Sequence, residues 1–146
     1  MTIRDYFDIR EFVCKHVYGK FGDSAWQFFD DRLMDTIFTI REKLGKPITV
    51  NNWHLGGSFS QRGLRCNVCS LVSEKTRLEK VYVSAHMQGT GVDFDVKGMS
   101  SEGVRSWIKA NQIILPFPVR LEKGVNWVHL DMRNDGRNGK VIEFTC

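Results

Sequence analysis

The chain predicts an α+β fold in which N-terminal helices pack on a mainly antiparallel sheet, and three observations point there. Apolar residues recur at helical spacing as far as Leu44. Gly45 and Pro47 then end that pattern. Beyond them, short stretches of alternating polarity are separated by Gly, Pro and Asn, the texture of strands joined by turns. The whole chain, 1–146, reads as a single domain, helical over about 3–45 and sheet-forming over about 48–146.

Taken in order, Ile9, Phe12, Val13, His16 and Val17 fall on one helical face, and Gly22 interrupts before a longer segment. Ser24 is the expected N-cap of that segment, because a hydroxyl there accepts from an otherwise unpaired backbone N–H. Phe29, Leu33, Ile37, Ile40 and Leu44 form its apolar stripe, which is a core face. Ile48 to Trp53 reads as a strand, and Gly56-Gly57-Ser58 opens a loop carrying Arg62 and Arg65. Val81, Val83 and Ala85 alternate with Tyr82, Ser84 and His86, so a strand is expected over about Lys80 to Ala85. Ser100 caps a short helix with Glu102 in its first turn and Val104, Trp107 and Ile108 facing inward. Pro116 and Pro118 bound a strand from Val119 to Glu122, and a turn at Gly124 joins it to a strand from Asn126 to Met132. Val141 to Thr145 is expected as the last strand.

Composition narrows the class. With 146 residues, 42% of them hydrophobic, the chain can bury a real core, which excludes disorder. A net charge of +4 favours anionic surroundings. No basic run or RNA-binding signature accompanies it, so no nucleic-acid partner is expected. No stretch is apolar and long enough to cross a membrane, and Met1-Thr-Ile-Arg-Asp5 lacks the apolar core of a secretory leader, so cytoplasmic synthesis without a membrane partner is expected. Of the cysteines, Cys66-Asn-Val-Cys69 has the spacing of half a zinc ribbon or of a redox pair, but no second such pair completes it. Cys14, Cys66, Cys69 and Cys146 are therefore expected as free thiols, and His16 and His54 as structural or surface residues.

Chemistry concentrates in Ser84-Ala-His86-Met-Gln-Gly89-Thr-Gly91-Val-Asp93 and in Trp127-Val-His129-Leu-Asp131. A catalytic zinc site uses three protein ligands and leaves a position open for water, and His86, Asp93 and His129 would make one. Gly89 and Gly91 let the backbone turn back and bring Asp93 beside His86. His129 projects from a strand whose Trp127, His129 and Asp131 share one face.

These two motifs resemble those of the zinc D-Ala-D-Ala carboxypeptidases and the related L-alanyl-D-glutamate endopeptidases of cell-wall peptides. That family's pattern runs Ser-x-His-x-x-Gly-x-Ala-x-Asp, with a later His in a Trp-x-His context. Ser84, His86, Gly89, Asp93, Trp127 and His129 match it, and Gly91 replaces the usual Ala, a small-for-small change expected to leave the ligands undisturbed. Asp95 misses the family's offset.

The resemblance implies a hedgehog/DD-peptidase-like fold, a Zn2+ cofactor on His86, Asp93 and His129, and hydrolysis of amide bonds in bacterial peptidoglycan peptides. A phage lysis enzyme, made in the cytoplasm and acting at the wall after release, fits it. The hedgehog signalling domain shares that zinc-site fold, so a noncatalytic zinc-bearing binding or structural module is the alternative. The family places its proton-transferring Glu, or in some branches another residue, shortly before the final His. Asn126 stands three residues before His129 and cannot serve as a base. Glu122 is the first candidate, since a hairpin can fold it across the site, and Asp131 is the second, with orientation of a ligand as its other role. Arg62 is the first candidate for the arginine that the family places ahead of the first motif, where it meets substrate carboxylate and oxyanion, and Arg65 is the second. Ser84 and Gln88 are expected to line the site.

Overall fold

A computed structural model describes all residues, Met1–Cys146, and has the α+β architecture expected. Four α-helices, α1 (Lys15–Phe21), α2 (Asp31–Leu44), α3 (Ser70–Arg77) and α4 (Ser101–Ala110), accompany five strands. The strands are β1 (Ile48–Thr49), β2 (Gly91–Val96), β3 (Val119–Glu122), β4 (Val128–Asp131) and β5 (Val141–Phe144). They form one sheet in the order β1-β2-β4-β3-β5, antiparallel throughout except for the parallel β3–β5 pair.

Side chains alternate across a strand, so the sheet has two unlike faces. Val92, Phe94, Val119, Leu121, Val128 and Leu130 are fully buried and share the inner face. There they join Leu33, Ile37 and Ile40 of α2 and Val104 and Ile108 of α4 in one continuous core. Each such aliphatic side chain contributes about 1.5–3 kcal/mol on burial. Asp93, His129, Asp131, Arg120 and Glu122 fall on the opposite face.

Local signals explain most boundaries. Ser100 accepts from the Gly103 backbone N–H at 3.0 Å to start α4, as its sequence suggests. Gly45 ends α2 in the left-handed conformation, φ 64°, which glycine adopts without a side-chain clash. The N-cap of α2 is Asp30, whose carboxylate accepts from Arg32 N at 2.8 Å. Ser24 instead lies in a 3-10 helix, Gly22–Phe28, and the segment before α1 is a pair of 3-10 turns at Ile3–Asp5 and Ile9–Glu11.

Three expected strands differ. Residues 80–84 form no strand: Val81 is fully exposed and Val83 half so, so the alternation there faces solvent and not a sheet. The strand beginning at Ile48 stops after Thr49, because Asn51 turns its buried side chain to other loops and a 3-10 turn, Trp53–Leu55, follows. The strand placed at 126–132 is shorter, Val128–Asp131. Helix α3 and strand β2 were not anticipated as elements.

Candidate metal centre

The register of the sheet assembles the site. Asp93 of β2 pairs with His129 of β4, and Gly91 with Asp131. On the other side of β4, Arg120 pairs with Asp131 and Leu121 with Leu130, so Glu122 comes opposite His129 one step on. Glu122 in turn pairs with Phe144 of β5. Asp93, His129, Glu122 and Phe144 thus stand in one row across the polar face, with Gly91, Asp131 and Arg120 in the next. His86 arrives from the turn at 85–88, ahead of β2.

His86, Asp93 and His129 form a buried group whose ligand atoms lie within 4.8 Å of one another, close enough to hold one metal ion. His86 Nδ1 donates to the Gly63 carbonyl at 2.9 Å. A carbonyl only accepts, so the proton resides on Nδ1 and Nε2 is left to face Asp93 Oδ1 at 3.4 Å. His129 is held the other way round. Its Nε2 bonds Asp131 Oδ2 at 2.7 Å, and its Nδ1 faces Asp93 Oδ1 at 2.8 Å. Each histidine therefore has one nitrogen anchored by the protein and the other aimed at Asp93, the arrangement that fixes metal-ligating imidazoles. Asp93 Oδ2 is met by Arg65 Nη2 at 3.4 Å.

The electrostatics suit a cation. Burial works against charge on His129, yet the Asp131 and Asp93 carboxylates on its two nitrogens prevail and push it up to about 9. Burial likewise opposes ionisation of Asp131, but His129 and Arg120 hold it down to about 2. Asp93 lies well below the usual carboxylate range because bonds from His129 and His86 outweigh its desolvation. In the metal-free protein the two carboxylates therefore hold His129 protonated between them, and a metal ion bound at its Nδ1 would displace that proton.

An open cavity of about 360 Å³ sits over the cluster. Among its lining residues are His86, Asp93, His129, Glu122, Ser84 and Arg65. Glu122 thus shares the cleft with the three candidate ligands. Asp131 lines it too, but is fully buried, and both its oxygens are engaged by His129, Arg120 and the Arg133 backbone N–H. Arg62 lies one cavity away, where its guanidinium pairs with Asp95 at 2.9 Å and stacks on Phe59 at 4.2 Å. That neighbouring cavity shares Arg65, Asp93 and Trp127 with the first. Gln88 is outside the lining, but accepts from Arg133 Nη2 at 2.9 Å.

Sequence reasoning missed Tyr82, Arg120, Arg133 and Phe144 in this cleft. Arg120 was findable, since it alternates with Val119 and Leu121 on the same face as Glu122. It also missed Arg105 of α4, nearly fully buried, which donates to the carbonyls of Trp127 at 2.9 Å and Val125 at 3.0 Å and so fixes the loop entering β4. Gly91 has a tighter role than a small residue alone would fill. A Cβ there would stand 2.7 Å from the Ala85 Cβ and 3.0 Å from the Asp131 Cβ.

Comparison with protein-family models, with curated proteins and with solved structures gave no match. The reading of the centre therefore rests on its own geometry. No helix is long and apolar enough to cross a membrane.

Proposed function

We propose that the protein is a zinc-dependent metallopeptidase hydrolysing amide bonds of bacterial peptidoglycan peptides, as its resemblance to the D-Ala-D-Ala carboxypeptidases and L-alanyl-D-glutamate endopeptidases implies. What carries this reading is the row Asp93–His129–Glu122, which stands an acid beside a three-ligand set in an open cleft. The donor set of two imidazoles and one carboxylate fits zinc with a position left for water. Zinc held there lowers the pKa of water toward neutrality and polarises a carbonyl.

The rest is done by the chain. Glu122 takes the proton of the attacking water and returns it to the departing amine nitrogen, a role that requires a carboxylate within reach of both. Asp131, with both oxygens committed, is a positioning residue that keeps the Nε2 proton of His129 in place and Nδ1 directed at the ligand position. Arg65 stands nearest the ligands and receives the oxyanion or a substrate carboxylate. Arg62 supplies positive charge to the adjoining cavity, where more of the stem peptide would lie.

The test is incubation of zinc-loaded protein with purified peptidoglycan, followed by detection of new amino termini or released D-Ala. Release by the parent, with a fall of about 10²-fold or more in Glu122→Gln at unchanged zinc content, is expected. No release by the zinc-loaded parent would overturn the peptidase reading and favour a noncatalytic zinc module. Near-normal turnover in Glu122→Gln would remove Glu122 as the base.

A further inference from the structure

A second group of metal-binding side chains lies apart from the cleft and takes no part in the chemistry above. Cys14, His16, Cys66 and Cys69 bring one ligand atom each to within 4.8 Å of the others. Two come from the N-cap and first turn of α1, as Cys14-Lys-His16, and two from the turn before α3, as Cys66-Asn-Val-Cys69. The missing partner of the Cys66/Cys69 pair is thus a Cys-x-His pair some fifty residues upstream and not a second Cys-x-x-Cys.

The distances discriminate among the chemistries open to such a group. Cys14 Sγ stands 3.7 Å from Cys66 Sγ, and Cys66 Sγ 3.8 Å from Cys69 Sγ. His16 Nδ1 is 3.5 Å from Cys66 Sγ and 3.8 Å from Cys69 Sγ. A tetrahedron with zinc–sulfur bonds of about 2.3 Å and a zinc–nitrogen bond of about 2.0–2.1 Å has sulfur–sulfur edges of about 3.8 Å and sulfur–nitrogen edges of about 3.5 Å. Both sulfur–sulfur distances and the His16–Cys66 distance match within about 0.1 Å, and the His16–Cys69 distance is about 0.3 Å longer. A disulfide would need its two sulfurs at about 2.05 Å, and no cysteine pair of the chain is so bonded.

We propose that Cys14, His16, Cys66 and Cys69 bind a structural zinc ion, distinct from the ion at His86, Asp93 and His129. Four protein ligands close the tetrahedron and leave no position for water, so this ion holds the chain together and does not act on substrate. Cys14 and Cys69 are buried, and Val17 N donates to Cys14 Sγ at 3.5 Å, a bond suited to a metal thiolate. The ion ties the start of α1 to the segment 60–69, which also carries Arg62, Arg65 and the Gly63 carbonyl that holds His86. Leu64 backs the same junction through a parallel bridge to Val13.

Metal analysis and cobalt substitution test this. The zinc-loaded parent should carry two zinc ions per chain, and the cobalt form should show the intense near-ultraviolet absorption of thiolate-to-cobalt charge transfer. His86→Ala should lose one metal equivalent and keep that absorption, whereas Cys66→Ser should lose the absorption. Cys146→Ser should change neither. Absence of the charge-transfer absorption in the cobalt-loaded parent would overturn the proposal, and so would its persistence in Cys66→Ser. Should Cys66→Ser fail to fold, titration of the folded parent with a mercurial decides: release of one zinc equivalent supports the site, and release of none refutes it. Failure of the catalytic reading would leave the thiolate absorption untouched, so the two claims fail separately.

Discussion

Asp131→Asn isolates the device that orients His129. In the parent, Asp131 Oδ2 accepts from His129 Nε2 at 2.7 Å and Arg120 Nη2 at 2.8 Å, while Oδ1 accepts from Arg120 Nε and from the Arg133 backbone N–H, both at 3.0 Å. Asparagine offers one acceptor oxygen and an NH2 group. Whichever way it turns, the NH2 faces donors: Arg120 loses an acceptor in either orientation, together with His129 in one and the Arg133 backbone N–H in the other, at a fully buried position. Replacing a carboxylate that supports a metal-bound imidazole weakens metal affinity about 10–100-fold, or about 1.4–2.7 kcal/mol. Zinc affinity is measured by competition with a chromophoric chelator, with His86→Ala defining the contribution of this centre. An Asp131→Asn affinity within about twofold of the parent would refute the view that Asp131 fixes the imidazole.

Gly91→Ala should destabilise the fold by about 1–3 kcal/mol, since the new methyl meets Ala85 and Asp131 inside van der Waals distance; an unchanged melting temperature would contradict this packing. Ile37→Ala empties a fully buried position under the sheet and should cost about 2–5 kcal/mol by denaturant titration, with the slope unchanged. Burial raises the pKa of Glu11, with the Asp8 backbone hydrogen bond opposing it, so folding makes ionisation of Glu11 less favourable than in the unfolded chain. Its contribution is fully present below the unfolded-state pKa and is lost as pH rises through the folded value. Glu11→Gln, which still offers an acceptor to Asp8 N, should therefore gain in melting temperature relative to the parent between pH 4 and pH 7; a constant difference across that window would rule the effect out.

What the sequence made legible was what local chemistry dictates. The stripe Leu33, Ile37, Ile40, the stop at Gly45 and the cap at Ser100 each depend on neighbours within a turn or two, and each is where its pattern puts it. The candidate ligands Asp93 and His129 come together through strand register, and His86 joins them through the turn at Gly89, whereas Gly91 keeps an ordinary strand conformation and matters for its close packing on Ala85 and Asp131. The expected strand at 80–85 failed for the complementary reason. Alternation there is real, but no neighbouring strand comes alongside, and pattern alone does not reveal pairing. The order of the two arginines was likewise beyond reach. Arg62 and Arg65 are three residues apart, yet Asp95 draws the first into the side cavity and Gln61, Tyr82 and Asp93 hold the second at the ligands. The Cys14, His16, Cys66 and Cys69 cluster escaped because its two halves are united only by tertiary structure.

The junction between residues 12–14 and 63–64 has a mechanical meaning. Leu64 N donates to the Phe12 carbonyl at 2.7 Å, and the Gly63 carbonyl accepts from His86 Nδ1 at 2.9 Å. That N–H and that C=O belong to a single amide unit, which is planar and resists twisting. It works as a rigid lever with one end gripped by the N-terminal segment and the other aiming an imidazole. A side chain on Gly63 would strike the Phe12 carbonyl, so the lever is seated against its grip with no slack. The helical third and the sheet are thus unequal in sequence yet inseparable in operation: residues 48–146 alone would contain every candidate ligand of the cleft and lack the hold that points His86 at it.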